Sequence, residues 1–331
     1  WKNFLSKHPY EKLTPDLVIQ AVESLGYEPD ARIFGLNSYE NRVYQVGISN
    51  ERFLIVKFYR PGRWTTDQIL EEHQFSQELS DIEIPVISPV ILDEKSIFEF
   101  EGFQLAVFPM FFGRPLELDT YENLLVMGRF IGRIHSVGAE ASFLDRLEIN
   151  VDRFAVQSRE FLLSNDFIPP DLIAAYETLS QDLIFRVESC FSGHGPIKKL
   201  RIHGDCHSGN VLWKDNAPNF VDFDDTMNGP AIQDLWMMLS GSRDQRQTQL
   251  KELLEGYNEF FCFPTSELSL IESLRTLRIM NYSAWLARRW DDPAFPRNFP
   301  WFNSVRYWSE HILQLREQLS ALDEPPLEVL I

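Results

Sequence analysis

One run constrains this chain more than any other. His203-Gly204-Asp205-Cys206-His207-Ser208-Gly209-Asn210 leads into apolar Val211-Leu212-Trp213, and Phe220-Val221-Asp222-Phe223-Asp224-Asp225 follows after a turn at Lys214 to Pro218. The order reads as loop, short hairpin, loop. Asp205 and Asn210 stand five positions apart in one loop, and Asp222 ends the next short strand. Together they offer a proton acceptor and hard oxygen ligands of the kind Mg²⁺ prefers. Asp, Asn, Gly and Ser are also ordinary turn residues, so an isolated Asp-x-x-x-x-Asn would carry no information. The preceding histidine, the hairpin and the second aspartate give the run its weight. Zinc is the competing reading, because His203, Cys206 and His207 lie close together. No Cys-x-x-Cys partner exists elsewhere, however, and zinc would leave Asn210 and Asp222 unexplained.

The rest of the chain sets bounds. Its 331 residues suit two lobes or domains, and 44% apolar with 24% charged residues is the composition of a folded protein. Net charge is 31 − 49 = −18, which argues against nucleic acid or an anionic membrane as the main partner. Cys190, Cys206 and Cys262 are odd in number and dispersed, which points to reduced thiols and a cytoplasmic setting. No apolar run is long enough to span a membrane. Trp1-Lys2-Asn3-Phe4 shows no basic stretch leading an apolar one, so no secretory leader is expected.

Thr14-Pro15-Asp16 opens a helix that Gly26 stops, with Leu17, Val18, Ala21, Val22 and Leu25 at helical spacing. Arg42 to Val46 and Phe53 to Phe58 read as a hairpin, Thr66-Asp67-Gln68 as the cap of a second helix, and Ser96 to Phe100 with Phe103 to Phe108 as two further strands turning at Glu101-Gly102. Beyond Gly113-Arg114-Pro115 helices dominate, with candidates from Tyr121 to Val137, Pro170 to Ser189, Pro230 to Ser240, Gln245 to Phe261 and Glu267 to Trp290.

Lys57 sits inside the apolar strand Ile55-Val56-Lys57-Phe58. Alternation places Ile55, Lys57 and Tyr59 on one face and Leu54, Val56 and Phe58 on the other. Lys57 is therefore either a solvated face residue or a functional cation, and Glu71 and Glu72 on the following helix are its candidate partners. Glu72 is the better placed, leading the Phe75 and Leu79 face. Leu36-Asn37-Ser38-Tyr39-Glu40-Asn41 precedes the strand pair, and its backbone amides and the Ser38 hydroxyl are suited to phosphate. As a motif it is weak.

On these residues the chain resembles the aminoglycoside phosphotransferase and choline kinase-like family, within the broader protein-kinase-like fold. The Asp205–Asn210 spacing is that of the kinase catalytic loop, with Asp222 where the metal-binding aspartate stands. Within the family it is similar to the bacterial stress response kinase A group. Asn37 to Tyr44, Val56 to Pro61, His203 to His207, and Asp292 to Pro296 running on to Trp301 carry that likeness. The resemblance implies an α+β, protein-kinase-like two-lobed fold with ATP between the lobes. A small β-rich nucleotide-binding N-lobe would cover residues 1–111 and a larger, mostly helical catalytic C-lobe residues 112–331.

It also implies an ATP- and Mg²⁺-dependent serine/threonine protein kinase of stress response, cytoplasmic and monomeric, acting on Ser/Thr of a protein. A small alcohol such as homoserine, choline or an aminoglycoside is the alternative acceptor. Asp205 is then the proton acceptor, Asn210 and Asp222 bind the metal, Asp222 also counts as catalytic, and Ser38, Lys57 and Glu72 lie at ATP. Two departures stand out. Gly204 replaces the arginine of classical protein kinases, and Phe223-Asp224-Asp225 has no glycine and no long activation loop before Pro230. Asp234 is expected to hold the loop backbone, and His203 and His207 to brace it. Arg288-Arg289-Trp290 would help an acidic substrate only if it faced the site.

Overall fold

The computed structural model describes residues 8–50 and 52–329, and the opening Trp1-Lys2-Asn3-Phe4, on which the leader expectation rests, lies outside them. Two compact units divide the chain. The first runs from the N-terminal side to Leu116 and adds Leu144–Arg146 and Ser208–Asp225. The second takes Glu117–Phe143, Leu147–His207 and the chain from Thr226 onward.

In the first unit, α1 (Pro15–Ser24) starts where Thr14 Oγ1 accepts the Leu17 N–H at 3.3 Å. The strands β1 (Pro29–Gly35), β2 (Arg42–Ile48), β3 (Arg52–Phe58), β4 (Phe98–Phe100) and β5 (Phe103–Pro109) form an antiparallel sheet in the order β1-β2-β3-β5-β4. Helix α2 (Thr66–Asp81) crosses between β3 and β4 in sequence. Its cap is Thr65, one residue before the expected Thr66, because Thr65 and Gln68 close a reciprocal capping box. The alternation along β3 holds. Leu54, Val56 and Phe58 enter a core with Val18, Ala21 and Val22 of α1, which frees the opposite face for chemistry. A smaller three-stranded sheet in the order β6-β8-β9 joins β6 (Arg114–Pro115) to β8 (Val211–Lys214) and β9 (Ala217–Phe220), the hairpin read from the sequence.

The second unit is mostly helical: α3 (Tyr121–Gly138), α4 (Gln157–Ser164), α5 (Pro170–His194), α6 (Ile232–Trp236), α7 (Arg243–Tyr257), α8 (Ile271–Arg288), α9 (Ala294–Asn298) and α10 (Val305–Ala321). Strands β7 (Leu200–Ile202) and β10 (Met227–Gly229) pair antiparallel. Helix α6 ends sooner than the expected Ser240, and the expected Glu267 helix begins as a 3-10 turn over Thr265–Leu270 before α8. Helices α3 and α7 touch through glycine. A Cβ on Gly128 would lie 1.9 Å from the Leu253 carbonyl oxygen, and one on Gly256 2.1 Å from that of Leu125. The two backbones approach too closely for any side chain there. Among the described residues, no helix is long and apolar enough to cross a membrane.

Candidate active site

The first unit holds a cavity of about 390 Å³, a size that suits a small ligand. Ser38, Lys57, Glu72, Asn210 and Asp222 all line it. Strand alternation turns Lys57 toward this cavity, β1 and β2 are joined by the Ser38 loop, α2 contributes Glu72, and the Asn210 turn and the Asp222 loop bracket the β8–β9 hairpin.

Lys57 is buried, with a side chain 7% exposed, and its Nζ lies 3.6 Å from Glu72 Oε1. Two carboxylates the sequence reading did not pair with it are closer: Asp224 Oδ1 at 2.9 Å and Asp222 Oδ1 at 3.4 Å. Burial works against the ammonium, but Asp224 and Glu72 outweigh it and hold Lys57 charged. Burial raises the Glu72 carboxyl despite Lys57. Glu71 goes elsewhere, accepting the backbone N–H groups of Leu144, Asp145 and Arg146 at 2.6, 3.0 and 2.7 Å.

Two arginines fix the loop after Asp222. Arg63 pairs with Asp224 and, at 2.5 Å, with Asp225. Arg146 donates to the carbonyls of Phe223 (3.2 Å) and Asp224 (2.6 Å), lies 3.8 Å from Glu72 Oε2, and packs over Trp64. Burial alone would push the Asp224 carboxyl up; Arg63 and Lys57 hold it well below the usual range. Asp222 itself has φ 58°, a left-handed conformation that Asp tolerates better than most residues. Asp224 was visible in the Asp222-Phe223-Asp224-Asp225 run, but nothing in sequence spacing pointed to Arg63 or Arg146.

Metal fit can be tested on this donor set. Among the described residues, Asp224 and Glu72 each have a guanidinium partner within 4 Å, whereas Asp222, its side chain 55% exposed, lines the cavity with Lys57 as its ion-pair partner at that range. A half-exposed carboxylate that shares the cavity wall with the Asn210 amide, and whose one close cation is the shared Lys57, suits a hard divalent cation. Zinc lacks such a set. Among the described residues no group of three or more His, Cys, Asp or Glu side chains is placed to hold a metal ion, and burial keeps Cys206 a thiol.

Asp205 belongs to the second unit, and the chain enters the first after His207. Asp234 holds its loop, as expected. Oδ2 accepts the His203 N–H at 2.8 Å and Oδ1 the Gly204 N–H at 2.9 Å. His135 bonds Asp234 through Nε2 (3.0 Å) and the Tyr257 hydroxyl through Nδ1 (2.8 Å), and Gln233 donates to the Gly204 carbonyl at 3.0 Å. Gly204 has φ 84°, which explains glycine where an arginine would be strained. His207 Nε2 lies 3.4 Å from Asp205 Oδ2, and Arg278 Nη1, which the sequence did not flag, lies 2.7 Å from Oδ1. Burial pushes the Asp205 carboxyl up, but the His207 hydrogen bond and the Arg278 guanidinium prevail and hold it well below the usual range. Arg288 instead donates to the Gln157 carbonyl, and Arg289 lies over Trp285.

A family model described as the phosphotransferase enzyme family matches residues 33–268. The chain belongs to that phosphotransferase family. This phosphotransferase is 43% identical over 324 residues to Stress response kinase A of Escherichia coli (strain K12), covering 98% of each chain. It is 41% identical over 320 residues to the serine/threonine protein kinase RdoA of Salmonella typhimurium, covering 97% of each. With such relatives over its whole length, it is a kinase enzyme, and the group resemblance read from its motifs holds. Among solved structures it resembles amicoumacin kinase hAmiN in complex with AMP-PNP, Ca²⁺ and Ami (TM-score 0.73, 19% identity, 97% of each chain). It also resembles a microcompartment-associated aminopropanol kinase (TM-score 0.69, 18% identity, 92% of this chain and 98% of that one). The α+β kinase-like fold expected from the sequence is therefore the fold observed.

Proposed function

We propose that this phosphotransferase is an ATP- and Mg²⁺-dependent serine/threonine protein kinase acting in stress response in the cytoplasm. One observation carries the nucleotide half of the reading: Ser38, Lys57, Glu72, Asn210 and Asp222, scattered over the sequence, line a single cavity. The relatives named stress response kinase and serine/threonine protein kinase support the acceptor half. Lys57 would bind the nucleotide phosphates, kept charged and in place by Asp224 and Glu72. The Ser38 loop would cover them. Asn210 and Asp222 would hold Mg²⁺, which when bound offsets the charge that develops on the transferred phosphoryl group.

Asp205 would receive the acceptor's hydroxyl proton as the new P–O bond forms and the bond to the ADP leaving group breaks. A carboxyl held so low is a weak base, so its main work would be orienting the hydroxyl, with the proton arriving late. That suits phosphoryl transfer, in which positioning outweighs basicity.

The test is labelled ATP with Mg²⁺ and the full chain, offered a generic protein acceptor and a panel including homoserine, choline, an aminoglycoside and an amino alcohol. Label on protein Ser/Thr is expected, abolished by chelation. Asp205→Ala should lose about two to four orders of magnitude in turnover while still binding ATP. Turnover of a small alcohol with no label on any protein would replace this reading by the alternative acceptor class.

A further inference from the structure

The protein-kinase reading leaves open which serines and threonines are accepted. The second unit carries a cation at the position where that choice would be made. Arg278, on α8, puts Nη1 2.7 Å from Asp205 Oδ1. As a mere brace it is superfluous and even counterproductive. Asp234 already fixes the loop, His207 already stands at Oδ2, and a guanidinium on the carboxylate weakens it as a proton acceptor. Its geometry has spare capacity. The side chain is 46% exposed, and among the described residues Nε and Nη2 have no hydrogen-bond partner. An arginine fork can keep one N–H on Asp205 and offer the others to a second anion.

The neighbours on α8 sharpen the point. Arg275, one turn earlier, is already committed, with Nη1 3.3 Å from Glu272 and its guanidinium over Trp236. One turn later, Tyr282 is exposed and stacks on Trp285 with ring centroids 5.8 Å apart. The helix thus presents a cation followed by an aromatic surface, the combination that suits an extended peptide rather than a small cationic alcohol, which Arg278 would repel.

We infer that Arg278 reads an anionic group beside the acceptor hydroxyl, so that the preferred acceptor is a Ser or Thr flanked by an acidic or phosphorylated side chain. The inference rests on the protein-kinase reading and names its substrate class. It also runs against the chain's overall charge of −18, which on its own would favour basic peptides. A charge-assisted contact at the reacting centre outweighs that diffuse field, because the field is screened within about 8 Å at physiological salt.

The experiment uses the full chain and four serine peptides differing only in the residues flanking the serine: Glu, phosphoserine, Ala or Lys. Initial rates come from labelled ATP, and affinities from fluorescence polarisation of the same peptides. The Glu or phosphoserine peptide should exceed the Ala peptide by about tenfold or more in kcat/KM and in affinity, with Lys last. The two anionic arms show whether a carboxylate suffices or a phosphoryl group is required. R278A should erase the difference between Glu and Ala, R278E should put the Lys peptide first, and R278K should fall between. A wild-type preference for Lys, or an order unchanged in R278A and R278E, overturns the inference. Failure of the protein-kinase reading looks different: no peptide or protein takes label. Polarisation then decides alone, a flat or basic-first order overturning the inference and an acid-first, Arg278-dependent order supporting it.

Discussion

At the scale of single residues, Lys57 is tied into more than the nucleotide binding proposed for it. It is the ammonium shared by Asp224, Asp222 and Glu72 in a buried cluster. Removing the ammonium leaves two buried carboxylates with only Arg63 and Arg146 to offset them, a loss of up to about 3–5 kcal/mol. Lys57→Ala should therefore lower the denaturant midpoint as well as nucleotide affinity. Glu72→Gln should be milder in both, because Asp224 at 2.9 Å still holds the lysine. Equal stability of Lys57→Ala and wild type in a denaturant titration would refute the buried-cluster account.

Glu267 gives a second prediction. Burial pushes its carboxyl up to about 7 against the Ile232 N–H that it accepts at 3.0 Å. A carboxyl raised on folding binds its proton more tightly when native, so the native state is favoured below the unfolded value. That advantage is lost as pH rises from about 4.5 to about 7. Glu267→Gln should gain stability over wild type at pH 8, by up to about 3 kcal/mol, and lose that gain near pH 5. Paired chemical denaturations at the two pH values check it, and a pH-independent difference would remove the assignment.

Elements were unevenly legible. Helix α1 and the β2–β3 hairpin were readable because their local chemistry agrees with their burial: a Thr-Pro-Asp start, a regular apolar face, β-branched strands. β1 escaped notice because Pro29-Asp30-Ala31-Arg32 looks like a loop, and pairing with β2 across a bulge is what makes it a strand. Helix α10 escaped because its buried face carries His311 and Gln318 among Trp308, Ile312 and Leu315, which breaks the apolar count. Of the five expected residues that line the cavity, Asn210 and Asp222 were readable from spacing, Lys57 and Glu72 from strand and helix face, and Ser38 from a weak turn motif and the family resemblance. Arg63, Arg146 and Arg278 were not, since a lone arginine shows its partner only once the chain is folded. The glycines of α3 were equally silent in sequence. Gly128→Ala would drive a methyl into the Leu253 carbonyl, and overpacking of this kind costs about 1–3 kcal/mol. A lowered thermal midpoint is expected, whereas an alanine at Gly193, where a Cβ meets nothing within 4 Å, should leave it unchanged or raised.

Over the whole molecule, the net charge of −18 sets a background that local pairs do not cancel. Exposed pairs such as Arg306–Glu310 contribute little, and salt weakens them while also screening the general repulsion. The repulsion outweighs these pairs, so raising NaCl from about 0.02 to 0.2 M, a threefold shorter screening length, should raise the thermal midpoint. A midpoint that falls with salt would mean that ion pairs dominate.

The glycine seam between α3 and α7 reaches further than stability. His135 stands on α3, Tyr257 on α7 and Asp234 on α6, and their hydrogen bonds run in series to the amides of His203 and Gly204. The seam thus works as a spacer of fixed thickness. Thickening it by one methyl offsets the histidine from its tyrosine, and the error travels along the series to the peptide that carries Asp205. Precision at the Asp205 carboxylate is, in this chain, machined by two helices at one remove, through Asp234.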